Sequence, residues 1–226
     1  MDQYRIETHL HTNHTSQCGW LDADTLAEGY ARAGYAAVAV TDHYNRNTFS
    51  YLSVDTTAPG DKAGPFLTGF RRMEEACARR GLQVYRGAEL RFDECENDYL
   101  LYNYPDSLLA EPEEIFRMGV AAFAPLARAA GALIIQAHPY RRKCTPAIAC
   151  YLDGVEVMNR NPRHENHNDR AEEYAAQFGL LRLGGSDCHR PEDIGLGGIL
   201  TRELPEDGGA LARLIREGRY TVIGAE

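Results

Sequence analysis

Short apolar runs alternate along the chain with longer segments in which apolar residues recur at helical spacing. The runs predict strands at residues 4–8, 36–40, 82–88, 99–103, 133–135, 154–157, 180–183 and 220–223. The longer segments predict helices at residues 22–33, 66–80, 111–130, 166–178 and 207–217. Strands separated by helices are typical of parallel βα units, whose carboxyl ends collect functional groups at one end of a barrel. The pattern therefore predicts the α/β class, as an incomplete or distorted (β/α) barrel.

No shift in composition marks a domain boundary. With 226 residues, 44% of them hydrophobic, the chain can bury a sizeable core, and residues 1–226 are predicted to form a single domain. The longest stretch without a predicted element runs from Ser50 to Pro65 and is rich in Asp, Thr, Pro and Gly. We expect this stretch to be a lid or a rim over a site rather than a linker.

Residues with metal-binding side chains follow the predicted strands. His9 and His11 stand at the end of the first strand, where positions i and i+2 point to the same side. Later strands lead in the same way to His43, Glu89, His138, Asp187 and His189. A lone histidine is more often a hydrogen-bonded structural residue, but the repeated placement at strand ends predicts one polynuclear metal site.

The chemistry of these side chains agrees with such a site. Imidazole binds Zn, Fe or Mn, and a carboxylate can bridge two cations, a role that we assign to Glu89. Paired ions can hold a hydroxide and polarise a phosphoryl oxygen, so such a site can support hydrolysis of a phosphoester by a metal-bound hydroxide. The expected catalytic residues are Glu89, Asp187 and His189. Asp42 is expected to orient a ligand rather than to bind metal.

Composition limits the partners. The net charge of −9 argues against broad contact with nucleic acid, which needs Lys and Arg against the phosphates, but a small phosphate remains compatible with it. The six cysteines are scattered and no apolar signal segment opens the chain, so reduced thiols in the cytoplasm are expected. No apolar run reaches the ~18–20 residues of a membrane span. The expected partner is a small phosphorylated substrate, not extended nucleic acid or a membrane.

A phosphate substrate needs positive charge beyond the metal ions, and arginine offers bidentate geometry for it. Arg141 follows His138, Arg160 follows a strand end, and Arg190 follows His189. We expect these three arginines to bind substrate, with Arg141 and Arg160 favoured. A solvated surface charge is the alternative for each of them.

The ordered set from His9 to His189 resembles the polymerase and histidinol phosphatase (PHP) superfamily of metal-dependent phosphoesterases, and the resemblance covers nearly the whole chain. It implies a distorted seven-stranded (β/α) barrel. It also implies that His9, His11, Glu89 and Asp187 surround one metal ion. Glu89 would then bridge to a second ion that also takes His138, while His43 and His189 hold a third.

Two segments depart from the family pattern. Many members carry another histidine shortly after the HxH pair, and here His14 stands at shifted spacing and is expected to complete the third site. The family's further histidine on the strand after Glu89 is absent, and Tyr102 or Asn103 stands there instead. We therefore expect two or three divalent ions, of Zn, Mn or Fe, held with unequal affinity.

Several alternatives remain open. An amidohydrolase also begins with HxH on a barrel strand and cleaves a C–N bond, and a regulatory domain could bind metal without turnover. Histidinol phosphate, small nucleotides and a phosphorylated terminus are all candidate substrates. His164 and His167 are expected at the surface, Glu156 either lines the cleft or forms a salt bridge, and Cys188 is expected to be a small buried residue.

Overall fold

The computed structural model describes residues 3–225, which contain ten strands and seven α-helices. The strands are β1 (Tyr4–Leu10), β2 (Ala37–Val40), β3 (His43–Tyr44), β4 (Gln83–Arg91), β5 (Asp98–Tyr102), β6 (Leu133–Gln136), β7 (Gly154–Asn159), β8 (Leu181–Gly185), β9 (Ile199–Thr201) and β10 (Tyr220–Val222). The helices are α1 (Ala23–Arg32), α2 (Arg46–Tyr51), α3 (Ala63–Phe66), α4 (Thr68–Ala78), α5 (Pro112–Ala129), α6 (Asn168–Phe178) and α7 (Gly208–Arg216). Short 3₁₀ turns lie at Asp106–Leu109, Ala149–Tyr151 and Pro191–Asp193.

The strands form one sheet that curls into a nearly closed barrel. Their order is β10-β9-β1-β2-β4-β5-β6-β7-β8, with β3 paired to β4 beyond the end of β2. The two sides of the barrel meet where β1 ends, because His11 N–H donates to Cys188 O at 3.0 Å and Cys188 N–H donates to His9 O at 3.1 Å. This closure brings the end of β1 beside the segment that follows β8.

The predicted α/β barrel is confirmed in its coarse form, whereas the predicted seven strands are wrong, since residues 3–225 hold ten in one sheet. The sheet is also not uniformly parallel. β5 runs antiparallel to both β4 and β6, β9 runs antiparallel to β1, and β10 runs antiparallel to β9. The connection from β4 to β5 covers only residues 92–97, too few for the crossover helix that a parallel pair needs, so the two strands form a hairpin.

Local chemistry accounts for the helix boundaries. The carboxylate of Asp22 caps α1 by accepting the Thr25 N–H at 2.8 Å. Within α5, Gly119 has a φ of 75°, which breaks the helix into two pieces; glycine adopts this angle without steric cost. The predicted lid is bordered by α2 and α3, and its Thr56 and Lys62 side chains bond to carboxylates at the start of α5. The segment therefore lies against α5.

An aromatic cluster supports the end of the barrel that carries β3. Tyr44 is fully buried, and its ring centroid lies 5.0 Å from Phe49, 4.9 Å from Phe66 and 5.5 Å from Phe116. Burying a ring of this size contributes roughly 1.5–3 kcal/mol to the stability of the fold, so β3 is firmly held. Because His43 precedes Tyr44, this packing fixes the position of its imidazole. Among residues 3–225, none of the helices combines the length and apolar character of a membrane span.

Candidate metal centre

The structure brings seven of the eight predicted metal ligands together at one end of the barrel. His9 and His11 come from the end of β1, His43 from β3 and Glu89 from β4. His138 follows β6, and Asp187 and His189 follow β8. The side chains of His9, His11 and Glu89 are fully buried, so this end of the barrel encloses a cluster of polar groups.

Glu89 lies at the centre of the cluster, with both of its oxygens facing imidazoles. Its Oε1 is 3.2 Å from His138 Nε2 and 3.3 Å from His9 Nε2. Its Oε2 is 2.7 Å from His43 Nδ1 and 3.4 Å from His11 Nε2. A carboxylate that faces histidines on both sides has the position that a bridging ligand requires.

Asp187 closes the other side of the cluster. Its Oδ1 lies 3.3 Å from His11 Nε2, 3.5 Å from His9 Nε2 and 3.3 Å from His189 Nδ1. Its Oδ2 accepts a hydrogen bond from Arg141 Nη2 at 2.7 Å. One oxygen thus faces the imidazoles, while the other is held by a positive charge.

The backbone is strained where two of these side chains enter the cluster. His138 has a φ of 28° and Asp187 a φ of 50°, in a region that non-glycine residues rarely adopt. Just before Asp187, a Cβ at Gly185 would lie 2.5 Å from His9 Cβ, so only glycine fits at that point of β8. The close approach of β8 to β1 brings Asp187 next to the two histidines.

The cluster fits divalent metal ions. Five buried atoms make no hydrogen bond of good geometry, although two of them, His43 Nδ1 and Glu89 Oε2, lie 2.7 Å apart. The five are His9 Nε2, His11 Nδ1, His11 Nε2, His43 Nδ1 and Glu89 Oε2. Leaving a buried polar group unsatisfied costs about 1–3 kcal/mol, a penalty that a cation at these atoms would remove. Potential ligand atoms lie within 4.8 Å of one another in three groups: His9, His11 and Glu89; His11, His43 and His189; and His43, Glu89 and Asp98.

Within the cluster, the charges of the carboxylates and the histidines shift one another's pKa values. Burial lowers the pKa of His9, but the charges of Glu156, Asp187 and Glu89 raise it well above its usual value. Burial raises the pKa of Glu89, but His43 and His9 hold it well below its ordinary range. Protons on the imidazoles therefore balance the carboxylates, and metal binding is expected to displace them.

Glu156 orients two of the metal-ligand segments. Its Oε1 lies 3.0 Å from His9 Nδ1, and its Oε2 accepts the His138 N–H at 3.0 Å and the Asn159 amide at 2.8 Å. Glu156 is completely buried. Carboxylates behind metal-binding histidines commonly fix the tautomer and the ring orientation, and Glu156 has this position.

Asp42 holds a loop rather than an imidazole. Its carboxylate accepts the Thr12 N–H at 2.7 Å, the Thr12 hydroxyl at 2.8 Å and the Ser16 hydroxyl at 2.7 Å. Burial raises the pKa of Asp42, and these hydrogen bonds oppose the increase, leaving it at about 6. The side chain thereby joins the end of β2 to the loop that follows His11.

The cluster opens into a cavity of about 270 Å³. It is lined by Cys18, His43, Glu89, Arg91, Glu96, Asp98, His138, Arg141, Arg142, Lys143, Cys144, His164, Asp187 and His189. Four of these residues carry a positive charge, although the protein as a whole is acidic. Three larger depressions, of about 530, 460 and 410 Å³, lie elsewhere, and none of them is lined by histidine or cysteine.

Some predicted site residues lie elsewhere. His14 Nε2 accepts the Ala23 N–H at 3.3 Å at the start of α1. Arg160 is exposed with its guanidinium near Gly224, and the guanidinium of Arg190 covers the ring of Trp20 at 4.0 Å. Of the three predicted substrate-binding arginines, the structure thus brings only Arg141 to the cavity.

Tyr102 and Asn103, which stand in place of the family's further histidine, also bond away from the cluster. Asn103 donates to Gly131 O at 3.0 Å, and the Tyr102 hydroxyl donates to Thr8 O at 2.6 Å. Asp98 lies at the cluster instead, with Oδ2 3.9 Å from His138 Nε2 and Oδ1 accepting from Arg91 Nε at 2.8 Å. Because β5 is antiparallel, its first residue rather than its last reaches this end of the barrel.

Four further residues complete the comparison with the sequence predictions. His164 is exposed and lines the mouth of the cavity, whereas His167 precedes α6 with a φ of 49°. Cys188 is buried, as predicted, among the residues that pack on α1. Cys18, which had no predicted role, lines the cavity beside His43 and His189; no strand end precedes it, so strand-end patterns do not identify it.

Comparisons with known proteins agree with this geometry. A PHP domain model matches residues 7–178, and a PHP-associated model matches residues 165–220. A search of curated protein sequences finds no match.

Solved structures share the fold at low sequence identity. One is a two-domain Bacteroides vulgatus protein containing a predicted PHP-like metal-dependent phosphoesterase, with a TM-score of 0.69, 16% identity and 98% of this chain covered. This chain spans only 64% of that protein's length. PsfC from Pseudomonas syringae has a TM-score of 0.65 and 17% identity, covering 94% of this chain and 88% of PsfC. An amidohydrolase from Chromobacterium violaceum has a TM-score of 0.54 and 16% identity, with coverage of 96% and 97%.

Proposed function

We propose that this chain, which belongs to the PHP domain family, is a metal-dependent phosphoesterase that hydrolyses a small phosphomonoester or nucleotide. The observation that carries the proposal is the buried imidazole and carboxylate cluster, whose unpartnered atoms face one another at the base of a cavity with a basic rim. A cluster of this kind is costly to bury without cations, and the rim provides charge for an anionic substrate.

Two or three ions of Zn, Mn or Fe are proposed as cofactors. His9, His11, Glu89 and Asp187 would hold the first. Glu89 and His138 would hold the second, and His43 and His189 the third. Bound divalent ions supply Lewis acidity toward a phosphoryl oxygen and lower the pKa of water.

The chain's own residues position the substrate and the ligands. Arg141, Arg142 and Lys143 line one side of the cavity, where their charges can neutralise a phosphate dianion. Arg141 also binds Asp187 Oδ2, so it joins the proposed phosphate position to the ligand cluster. Burial raises the pKa of Asp187, but His9, Arg141 and His189 hold it well below its usual value. Asp187 therefore stays ionised, which favours a role as ligand over one as proton donor.

The size of the cavity favours a small substrate. Its volume of about 270 Å³ lies just below the range of about 300–1,000 Å³ that is typical of small-molecule sites, and the net charge of −9 opposes the approach of a long polyanion. A terminal phosphate on a small molecule satisfies both conditions.

The experiment is phosphate release from an aryl phosphate, histidinol phosphate and short nucleotides. The protein would be reconstituted separately with Mn, Zn and Fe, and carboxamide substrates would be run in parallel. Asp187→Ala removes a proposed ligand, and Asp169→Ala serves as the matched control because Asp169 is exposed on α6.

We expect metal-dependent phosphate release that Asp187→Ala abolishes and Asp169→Ala preserves. Release that persists in Asp187→Ala would contradict the assigned role of that residue. Cleavage of carboxamides without any phosphate release would replace the proposal with an amidohydrolase. Stoichiometric metal binding without turnover of either class would leave a metal-binding regulatory domain.

A further inference from the structure

Resting on the function proposed above, we propose that Cys18 is a thiolate ligand of the metal ion held by His43 and His189. Cys18 lines the cavity together with both imidazoles. The chain would thereby complete this metal position with sulfur.

The backbone of the loop places Cys18 between the two histidine segments. On one side of it, Ser16 Oγ accepts the His43 N–H at 2.9 Å. On the other side, Trp20 N–H donates to His189 O at 2.9 Å. The residue two positions before Cys18 and the residue two positions after it are thus each fastened to one histidine-bearing segment. The loop cannot move away without breaking one of these hydrogen bonds.

Gly19 makes the turn possible. A Cβ at this position would lie 2.8 Å from the carbonyl carbon and oxygen of Thr12, so any other residue would push the loop outward. Gly19 N–H also donates to Ser16 O at 3.0 Å, which closes a tight turn around Cys18. The close crossing over Thr12 therefore holds the turn that carries Cys18 against the segment that follows His11.

A fully buried imidazole independently indicates a ligand at this position. Neither ring nitrogen of His11 has a hydrogen-bond partner, and the side chain is completely buried. A nitrogen of His11 lies within 4.8 Å of nitrogens of both His43 and His189. The ring centroids of His43 and His189 are 4.4 and 4.3 Å from that of His11. Cys18 lines the same cavity as His43 and His189.

A thiolate changes which metals the position prefers. Sulfur ligands favour zinc and other soft ions, whereas Mn and Mg prefer oxygen ligands. Zinc sites built from cysteine and histidine are common, and the thiolate lowers the positive charge at the ion. We therefore expect this position to select zinc over manganese, and His14, bonded to the start of α1, is not needed to complete it.

Cobalt(II) reports directly on sulfur ligation, because a cobalt–thiolate bond gives an intense near-ultraviolet charge-transfer absorption that nitrogen and oxygen ligands do not give. The metal-free full-length protein would be titrated with Co²⁺ alone. Cys18→Ser and Cys18→His remove the thiolate, and the second variant retains a ligand. Cys144→Ser is the matched control, since Cys144 lines the same cavity with its Sγ 3.9 Å from His138 Nδ1.

We expect the absorption in the unmodified protein and in Cys144→Ser, and its loss in both Cys18 variants. Removing a residue that merely hydrogen-bonds to a metal ligand costs about 10–100-fold in metal affinity. Cys18→Ser is therefore expected to lower zinc affinity by at least about 10-fold, and Cys18→His to recover part of that loss. Persistence of the absorption in Cys18→Ser, or its absence from cobalt-loaded unmodified protein, would overturn the inference while leaving the phosphoesterase intact. Failure of the unmodified protein to bind any cobalt would overturn both.

A second measurement avoids variants that fold poorly. Alkylation of the unmodified protein, read by peptide mass spectrometry, should show Cys18 protected by added zinc. The exposed thiols of Cys95 and Cys150 provide internal controls whose alkylation rates zinc should not change. Equal alkylation of Cys18 with and without bound zinc would refute its role as a ligand.

Discussion

Replacing Glu156 by glutamine tests whether the metal centre depends on a correctly oriented His9. Glu156 offers only acceptors, and its Oε1 lies 3.0 Å from His9 Nδ1. The neutral ring of His9 therefore carries its proton on Nδ1. This leaves Nε2, the nitrogen that faces Glu89 and Asp187, free to bind metal. Glutamine has nearly the same shape as glutamate but replaces one acceptor oxygen with a donor.

Neither orientation of the new amide satisfies all of its neighbours. If the amide oxygen faces His9, the amide NH₂ meets the His138 N–H, which donates to Glu156 Oε2 at 3.0 Å in the native protein. If the NH₂ faces His9 instead, Nδ1 must accept, and the proton moves to the metal-facing Nε2. The first orientation leaves a buried donor unpaired, and the second blocks a ligand nitrogen.

The expected magnitude follows from these mismatches. Loss of a hydrogen bond to a buried charged group costs about 1.5–3 kcal/mol. Since about 1.4 kcal/mol corresponds to a tenfold change in affinity, zinc binding should weaken by roughly 10–100-fold. The same range is typical when the outer partner of a metal-binding histidine is removed.

The assay is competition for zinc with a chromophoric chelator, with thermal unfolding of the metal-free proteins measured alongside. Asp153→Asn is the matched control, because Asp153 immediately precedes β7 and its carboxylate accepts the Ile134 N–H at 2.8 Å, away from the cavity. That variant should lose stability but keep its zinc affinity. Zinc affinity within about twofold of the native value in Glu156→Gln would refute the argument from the tautomer of His9.

Three further predictions concern stability. Chelating the metal from protein kept in free metal at about 100 times the dissociation constant should lower the free energy of unfolding by about 2.7 kcal/mol. The thermal midpoint should fall by roughly 5–10 °C, and an unchanged midpoint would exclude a tightly held ion. Gly69→Ala should lower the free energy of unfolding in urea by about 1–3 kcal/mol, because its Cβ would collide with the Asp42 carboxylate. Gly208→Ala is the control and should be nearly neutral, because a Cβ there meets nothing within 4 Å. A hydrogen bond from Arg46 lowers the pKa of Glu113 from 4.5 to about 2. The ionised Glu113 therefore stabilises the folded protein above pH 4.5, and this stabilisation is lost as the pH falls toward 2. The stability difference between the native protein and Arg46→Gln should therefore shrink across that interval, and a constant difference would contradict the pairing.

Sequence periodicity predicted most of the barrel because each long element has a clear apolar pattern. Helices α1, α4, α6 and α7 lie within the predicted ranges or overlap them closely. The elements missed were short: β3 has two residues and β9 has three, too few for any periodicity to be visible. Both are held by pairing with longer strands, which is information that a local pattern does not contain. Helix α2 was also missed, since it has six residues and lies partly in the predicted lid.

The convergence of the proposed metal ligands was predictable because parallel strands of a barrel end at the same face, so a histidine or carboxylate at each end converges without any knowledge of the loops. The rule misplaces one side chain when a strand reverses. A parallel strand at 99–103 would deliver Asn103 to the cluster, but the antiparallel β5 delivers Asp98, which pairs in register with Arg91. Strand direction depends on the length of the β4–β5 connection, and the sequence pattern identified the strand without its direction.

The loop after His11 presents a harder case, because it contains two side chains of types that can bind metal and spacing alone does not distinguish them. Spacing favours His14 as the ligand because it is the nearest histidine, yet its ring bonds to the first turn of α1. Cys18 lies farther along the chain but reaches the cluster, because long-range hydrogen bonds to His43 and His189 fold the loop back over the cavity. The partners of those bonds are about 27 and 169 residues away in sequence. Tertiary contacts therefore decide which residue of this loop lies at the cavity. The zinc preference that we infer from sulfur ligation could be recognised only from the structure of the closed barrel.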